Sequence, residues 1–366
     1  MAPKGARRLR NTVKSAVAST IAKAYERGLS RSFRRGGYRP LVLGYHRIVE
    51  DYHAEAQVEM PSMLTSRAMF ERHLDCLATS FTFVSLDEIA DRLRYGLPFE
   101  RPVAAITFDD GYQDVYELAL PVLERKGIPA AMFVVTDLVS QPSSWQIHDK
   151  LYHLVAKAFA CWDDPRQQML GLLTDLGLPA RDLTRRAAIA DPMIAVSTLL
   201  PGLPQADIQR VMAGLESSVG NGFHNVPQTV TWDMVNDMRR RGFTIGSHTR
   251  SHVSLPTESA ETIAAELTES KRELENRLGE SIDHFAYPGG HFTDTVVEAV
   301  ALAGYKYAYT ACPHDVAEHR LLTIERLLLW EGSSVNGDGD FIPGILSCQA
   351  HALWPPARRC ERVHHA

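Results

Sequence analysis

The sequence predicts an α/β fold: a parallel sheet or barrel of alternating strands and helices, interrupted once by a helical insertion. Three observations carry this. Short apolar runs such as Val103-Ala104-Ala105-Ile106 recur along the chain, each bounded by turn residues. Between them lie longer stretches with apolar residues three and four apart, and the alternation continues to about residue 330. Only residues 137–226 break the rhythm, with helical patches but no strong strand.

Taken in order, Val13, Val17, Ile21, Ala24 and Leu29 recur at roughly helical spacing among Arg10, Lys14, Lys23, Arg27 and Arg31. Such a basic amphipathic stretch could lie on an anionic membrane surface, pack on its own domain, or stay disordered. Residues 40–46 read as a buried strand ending in His46, and 51–65 as a loop. A helix around Phe70, Leu74 and Leu77 precedes the short strand Thr82-Phe83-Val84. Ser85-Leu86-Asp87-Glu88 fits a capping box opening a helix through Leu93. After the strand at 103–106 come a helix near 115–126, stopped by Gly127, and a strand at 130–135.

Within the insertion, residues 145–159 read as a helix; such an insertion can shape a substrate cleft or be a tolerated appendage. The alternation then resumes. Residues 231–241 are expected as a helix, 243–246 as a strand, and 258–278 as a long helix closed by Gly279. Strand 284–287, helix 293–303 and strands 305–310 and 321–329 complete the pattern.

With 366 residues and 45% hydrophobic content, the chain can form one large domain or two smaller ones. The net charge of -5 conceals an asymmetry: residues 1–40 hold eleven Lys or Arg and one acid, Glu26. The body is therefore acidic, which excludes nucleic acid as a natural partner. Five scattered cysteines without Cys-x-x-Cys spacing indicate neither a disulfide framework nor a zinc ribbon. No run approaches the ~18 apolar residues of a membrane span. The basic start lacks the roughly 7–15-residue apolar core of a secretory signal, so a cytoplasmic location is expected.

The chemistry concentrates at Ile106-Thr107-Phe108-Asp109-Asp110-Gly111. Neighbouring side chains at a strand exit point apart, so one acid can bind a cation while the other reaches elsewhere. A bound cation would also keep the second acid ionised and ready to take a proton. Taken alone, Asp-Asp-Gly reads first as an acidic turn after a strand, and the rest of the chain must decide. His248 and His252 add context: they stand four apart just beyond another strand, where two imidazoles can meet one ion. Fifteen histidines make one such pair easy to obtain by chance, but both motifs follow strand C-termini, where parallel α/β folds place their sites. Two His and one Asp leave open positions on a divalent ion, zinc being the expected one, and suit metal-assisted hydrolysis.

These segments resemble the polysaccharide deacetylases of the NodB-homology type, carbohydrate esterase family 4. Thr107-Phe108-Asp109-Asp110-Gly111 matches the family's first motif and His248-Thr249-Arg250-Ser251-His252 its second, while Phe285-Ala286-Tyr287-Pro288-Gly289-Gly290 resembles the third. The resemblance implies a deformed (β/α) barrel with Asp110, His248 and His252 as metal ligands and Asp109 as general base. It also implies that Gly289 N–H, just after Pro288, helps hold the oxyanion. Leu43-Gly44-Tyr45-His46 resembles the family's late Leu-x-His motif moved to the front, as in the circularly permuted poly-N-acetylglucosamine deacetylases. His46 would then be the general acid, with His351 as the alternative and a core histidine as the plain structural reading. The arginine of the usual third motif is missing, and Arg326 could supply that charge or be merely structural. Tyr287 and Trp145 could stack on a sugar or belong to the core.

The expected organisation is a basic N-terminal segment at 1–39, a deacetylase domain at 40–136 and 227–332, the insertion at 137–226 and a tail at 333–366. The expected activity is metal-dependent removal of an N-acetyl group from an amino sugar in a polysaccharide, glycan precursor or glycolipid. A precursor met at the inner membrane face, through residues 1–36, would suit a cytoplasmic enzyme. Two alternatives are a non-haem iron oxygenase, which also uses two His and a carboxylate, and a catalytically silent glycan-binding module.

Overall fold

The computed structural model describes residues 38–142, 144–179, 191–220, 227–313 and 316–353. The basic stretch at 1–36 and the end of the C-terminal segment lie outside them. Among the described residues no helix is long and apolar enough to cross a membrane.

The main sheet contains β1 (Leu41–Tyr45), β4 (Thr82–Phe83), β5 (Val103–Phe108), β6 (Ala130–Val134), β7 (Thr244–Ser247), β8 (His284–Ala286), β9 (Tyr307–Thr310), β10 (Ile324–Glu325) and β11 (Leu327–Leu328). Every pairing in it is parallel, in the order β10-β9-β8-β7-β6-β5-β1-β11, with β4 alongside β5. β5 and β6 are buried at every residue, as strands covered on both faces must be. The result is a nearly closed, deformed parallel barrel of eight strands, the α/β class expected.

Its closure depends on one residue. The segment expected as a single strand over 321–329 is instead a 3-10 turn (Ala317–Leu322) followed by β10 and β11, with Arg326 alone between them. β10 pairs with β9 and β11 with β1, so the chain crosses the gap between the two ends of the sheet at Arg326. The Arg326 N–H still donates to Thr310 O at 2.7 Å.

Period-two alternation divides the packing. Val42, Ala105, Ala131, Phe133, Tyr307 and Tyr309 form one cluster with Val84 and Ile89. The opposite faces, including Leu43, Ile106, Phe108, Met132 and Phe285, pack on the surrounding helices. Those helices are α1 (Arg67–Ala78), α2 (Leu86–Arg94), α3 (Leu120–Lys126), α8 (Trp232–Arg240), α9 (Ala260–Leu278) and α10 (Asp294–Leu302). Ser85 Oγ accepts from Glu88 N–H, half of the anticipated capping box, while Glu88 turns to Arg92 instead. Gly279 ends α9 at φ 69°, as a left-handed C-cap.

Two further expectations need correction. Residues 51–65 are more than a loop: a helical turn (Tyr52–Glu55) and a 3-10 turn (Pro61–Met63) lead to β3 (Leu64–Ser66), which pairs parallel with β2 (Arg47–Val49) in a separate small sheet. Three-residue strands are too short to carry a readable period. Residues 343–350, assigned to a tail, form helix α11 (Pro343–Ala350), which packs on α1 and buries Leu346 and Cys348. The inserted segment supplies α4 (Ile147–Cys161), α5 (Pro165–Asp175), α6 (Pro192–Leu199) and α7 (Gln205–Val219), gathered around their own apolar cluster.

Candidate active site

Asp109 and Asp110 leave β5 in the parity its side chains set. Thr107 donates its hydroxyl to Leu43 O and receives Arg326 Nη1–H at 3.1 Å. Asp109, two residues on, receives Arg326 through both oxygens, Nη1 to Oδ1 and Nη2 to Oδ2, each at 2.7 Å. This is a buried fork-to-fork pair. Asp110 points elsewhere because its backbone turns: φ is 70° there and 72° at Gly111, where an added Cβ would meet Val134 at 3.3 Å. The left-handed region is costly for any residue with a Cβ.

The second motif is shaped in the same way, with φ 66° at Thr249 and 61° at His252. Three non-glycine residues in this region thus fall on two site loops, where such strain is stored. Glu266 on α9 holds the second loop. Its Oε2 accepts the N–H groups of Arg250 and Ser251 at 2.9 Å, and its Oε1 accepts the Ser251 hydroxyl at 2.7 Å.

Asp110, His248 and His252 converge, with one ligand atom from each lying within 4.8 Å of the others. Asp110 Oδ1 is 3.5 Å from His248 Nε2 and 3.3 Å from His252 Nε2. Both Asp110 oxygens are nevertheless buried without a hydrogen bond. His248 Nδ1 lies 2.8 Å from Ala286 O, so the proton sits on Nδ1 and Nε2 offers a lone pair. Burial pushes His248 down to about 4, against the pull of the nearby carboxylates. Burial also disfavours the charged form of His252, but the facing Asp110 outweighs it and raises this imidazole. Burial by itself would raise Asp110, yet His148 and His252 hold it well below the ordinary carboxylate range. A buried carboxylate and a bare imidazole nitrogen aimed at one point, with no proton between them, fit a cation.

Asp109 is likewise held below its ordinary value, burial being outweighed by Arg326 and His248. His46 follows β1, whose last residue Tyr45 is in register with Phe108; this brings His46 Nε2 to 4.0 Å from Asp109 Oδ2. Gly289 is exposed in the 3-10 turn Pro288–Gly290 at φ 64°, and as the second residue of that turn its N–H has no partner within it.

Other readings are corrected by placement. Tyr287 is no sugar platform: it is fully buried between Phe285 and Phe292, its hydroxyl donating to Leu322 O. His351 stacks on Phe81, beside the start of β4 at the opposite end of the barrel, far from any role as acid. Trp145 remains partly exposed and meets His153 edge-on at 4.9 Å. Five site neighbours went unread in the sequence: Glu266, Tyr112, Gln146, His148 and Asp149. Glu266 had a signal, an acid on the buried face of α9 between Ile263 and Ser270.

The polysaccharide deacetylase family model matches residues 97–160 and 194–308. Over these residues, just under half of its length, the chain matches the polysaccharide deacetylase family. Among curated relatives, the Bacillus subtilis protein YxkH is 22% identical over 146 residues, 40% of this chain and 50% of that protein. The poly-beta-1,6-N-acetyl-D-glucosamine N-deacetylase of Escherichia coli K12 is 30% identical over 93 residues, 25% of this chain and 14% of that protein. The chain thus matches half or less of the length of these relatives. Among solved structures, the Streptococcus pyogenes deacetylase PplD, in complex with acetate, superposes with a TM-score of 0.53 at 18% identity. That likeness covers 81% of this chain and 95% of the other, and it establishes the shared fold. The segments that resemble the family's first and second motifs follow β5 and β7, the two strands flanking β6, and bring together Asp110, His248 and His252, which are able to hold a divalent ion.

Proposed function

We propose that this protein is a metal-dependent N-deacetylase that removes the acetyl group from an amino sugar in a polysaccharide or glycan precursor. One observation carries the reading: an ionised carboxylate, Asp109, gripped by Arg326, stands beside a second carboxylate grouped with two histidines. A divalent ion held by Asp110, His248 and His252 would act as a Lewis acid toward the acetyl carbonyl, and zinc suits this donor set.

The chain's own groups would do the rest. Asp109 takes a proton from the attacking water at a carboxylate oxygen, which keeps a free lone pair beside its bond to Arg326. Gly289 N–H donates to the carbonyl oxygen as negative charge develops there. His46 gives a proton to the nitrogen as the C–N bond breaks, so acetate and a free amine leave. The leading position of β1 and His46, with the partial match to the E. coli N-deacetylase, favours the circularly permuted branch.

The test is acetate release from N-acetylglucosamine oligomers, with and without chelator, by wild type and Asp109→Asn. Metal-dependent release by wild type alone is expected; equal release by both proteins removes Asp109 from the mechanism. Oxygen consumption in place of acetate release would favour an oxygenase. We further propose that residues 1–36 bring the enzyme to an anionic membrane surface and a lipid-linked substrate on its cytoplasmic side.

A further inference from the structure

His148 and Asp149 open α4, the first helix of the insertion, and are 4% and 2% exposed. Neither belongs to the metal trio or to the reaction steps above. Tyr112, two residues beyond Asp110, joins them: its hydroxyl donates to Asp149 Oδ2 at 2.7 Å and lies 2.8 Å from His148 Nε2. A phenol has one proton, and here it goes to the carboxylate. The contact with His148 therefore requires the proton on Nε2 and the phenol oxygen as acceptor.

That tautomer turns an N–H edge toward the metal site. His148 Nε2 is 3.7 Å from Asp110 Oδ2, whereas the imidazoles of His248 and His252 face Oδ1. The distance is too long for a direct hydrogen bond, and the interaction is that of a fixed dipole with a carboxylate. The ring also lies 4.8 Å from that of His252, centre to centre. From the same segment, Gln146 donates its side-chain N–H to Asp110 O at 2.7 Å, bracing the left-handed backbone there. Leu151, Leu154, Val155 and Ala158 lock α4 into the insertion's own core, which makes this end of the helix a rigid mount.

We infer that the helical insertion completes the metal centre, with His148 and Gln146 holding Asp110 from the side away from the ion. Tyr112 and Asp149 fix the orientation and tautomer of His148. His148 is a positioning residue and not a ligand. The inference rests on the reading that Asp110, His248 and His252 bind a divalent ion.

The experiment is a Co2+ titration of the full chain followed by visible absorption, with Zn2+ competition giving its affinity. Wild type, His148→Ala, His148→Gln and Tyr112→Phe are compared. His148→Ala is expected to weaken Co2+ binding about 10–100-fold, the usual effect of losing a group that orients a ligand, with band positions unchanged. His148→Gln retains an N–H near the position of Nε2 and should lose less, while Tyr112→Phe should weaken binding in the same direction. Affinity within about twofold of wild type in His148→Ala would overturn the inference, as would displaced bands marking a lost ligand. If His148→Ala fails to fold, His148→Gln and Tyr112→Phe decide the matter by the same criteria. A wild type that binds neither ion would sink the metal reading itself, whereas normal wild-type binding with an indifferent His148 sinks only this inference.

Discussion

Arg326 grips both oxygens of Asp109 at 2.7 Å from the single residue between β10 and β11. The position that closes the barrel is therefore also the one that sets the charge of the candidate base. Lysine keeps the charge but cannot bridge two oxygens. Arg326→Lys should lower kcat/KM about 10–100-fold, and the acid limb of its pH profile should move upward, because Asp109 loses part of what holds it ionised. Arg326→Met leaves a buried carboxylate unpaired and should cost about 3–5 kcal/mol in urea unfolding; adding Asp109→Asn should restore part of that loss. An unshifted acid limb would mean that Arg326 does not tune the base.

Ion binding should be visible without any substrate. A divalent ion at about a hundred times its Kd contributes about 2.7 kcal/mol, or roughly 3–4 °C in Tm for a chain of this size. Asp110→Asn should abolish the rise, and chelator should reverse it in wild type. Scanning calorimetry with Zn2+ checks both, and an Asn variant that still gains the full increment would place the ion elsewhere.

His46→Asn should reduce kcat about 10²–10⁴-fold, the range for losing a general acid, without changing ion affinity. Steady-state kinetics and calorimetric titration separate the two effects. Equal losses in both would assign His46 to the ion and not to the leaving group.

His73 provides a pH test away from the site. It is buried, with Nδ1 3.3 Å from the Tyr45 hydroxyl, and burial pushes it from 6.5 down to about 4. Because its folded pKa is depressed, the unfolded chain binds the proton first as pH falls below the ordinary imidazole value. Stability should therefore drop by about 3 kcal/mol between pH 6.5 and 4 on this account, and His73→Gln should flatten that part of the curve. Urea midpoints across the window measure it.

Deleting residues 1–36 should abolish sedimentation with anionic liposomes at low salt and leave acetate release from soluble oligomers intact. Equal liposome binding by both forms would remove the membrane role.

Much of this was readable in the chain. The apolar run at 103–106, the capping residues Ser85 and Gly279, and the two motifs at strand ends follow from local rules. The small parallel pair β2–β3 and the broken strand at 324–328 were not readable, because two- and three-residue strands show no period. The aromatic character of Tyr287 suggested a sugar contact, but aromatic identity does not distinguish a binding wall from a core.

The sequence by itself determined the alternation that makes a parallel α/β barrel, and it supplied an acid pair and a histidine pair just after strands. Those features depend on neighbours a few residues away, so they are written locally. Only the tertiary structure decided that Arg326 reaches Asp109 across 217 positions, and that Glu266, Gln146 and His148 brace the two ligand loops. Such contacts depend on which strand adjoins which and on how a separate helical core is docked. Neither is encoded in the spacing of any one segment, because through-space proximity is set by the packing of the whole chain.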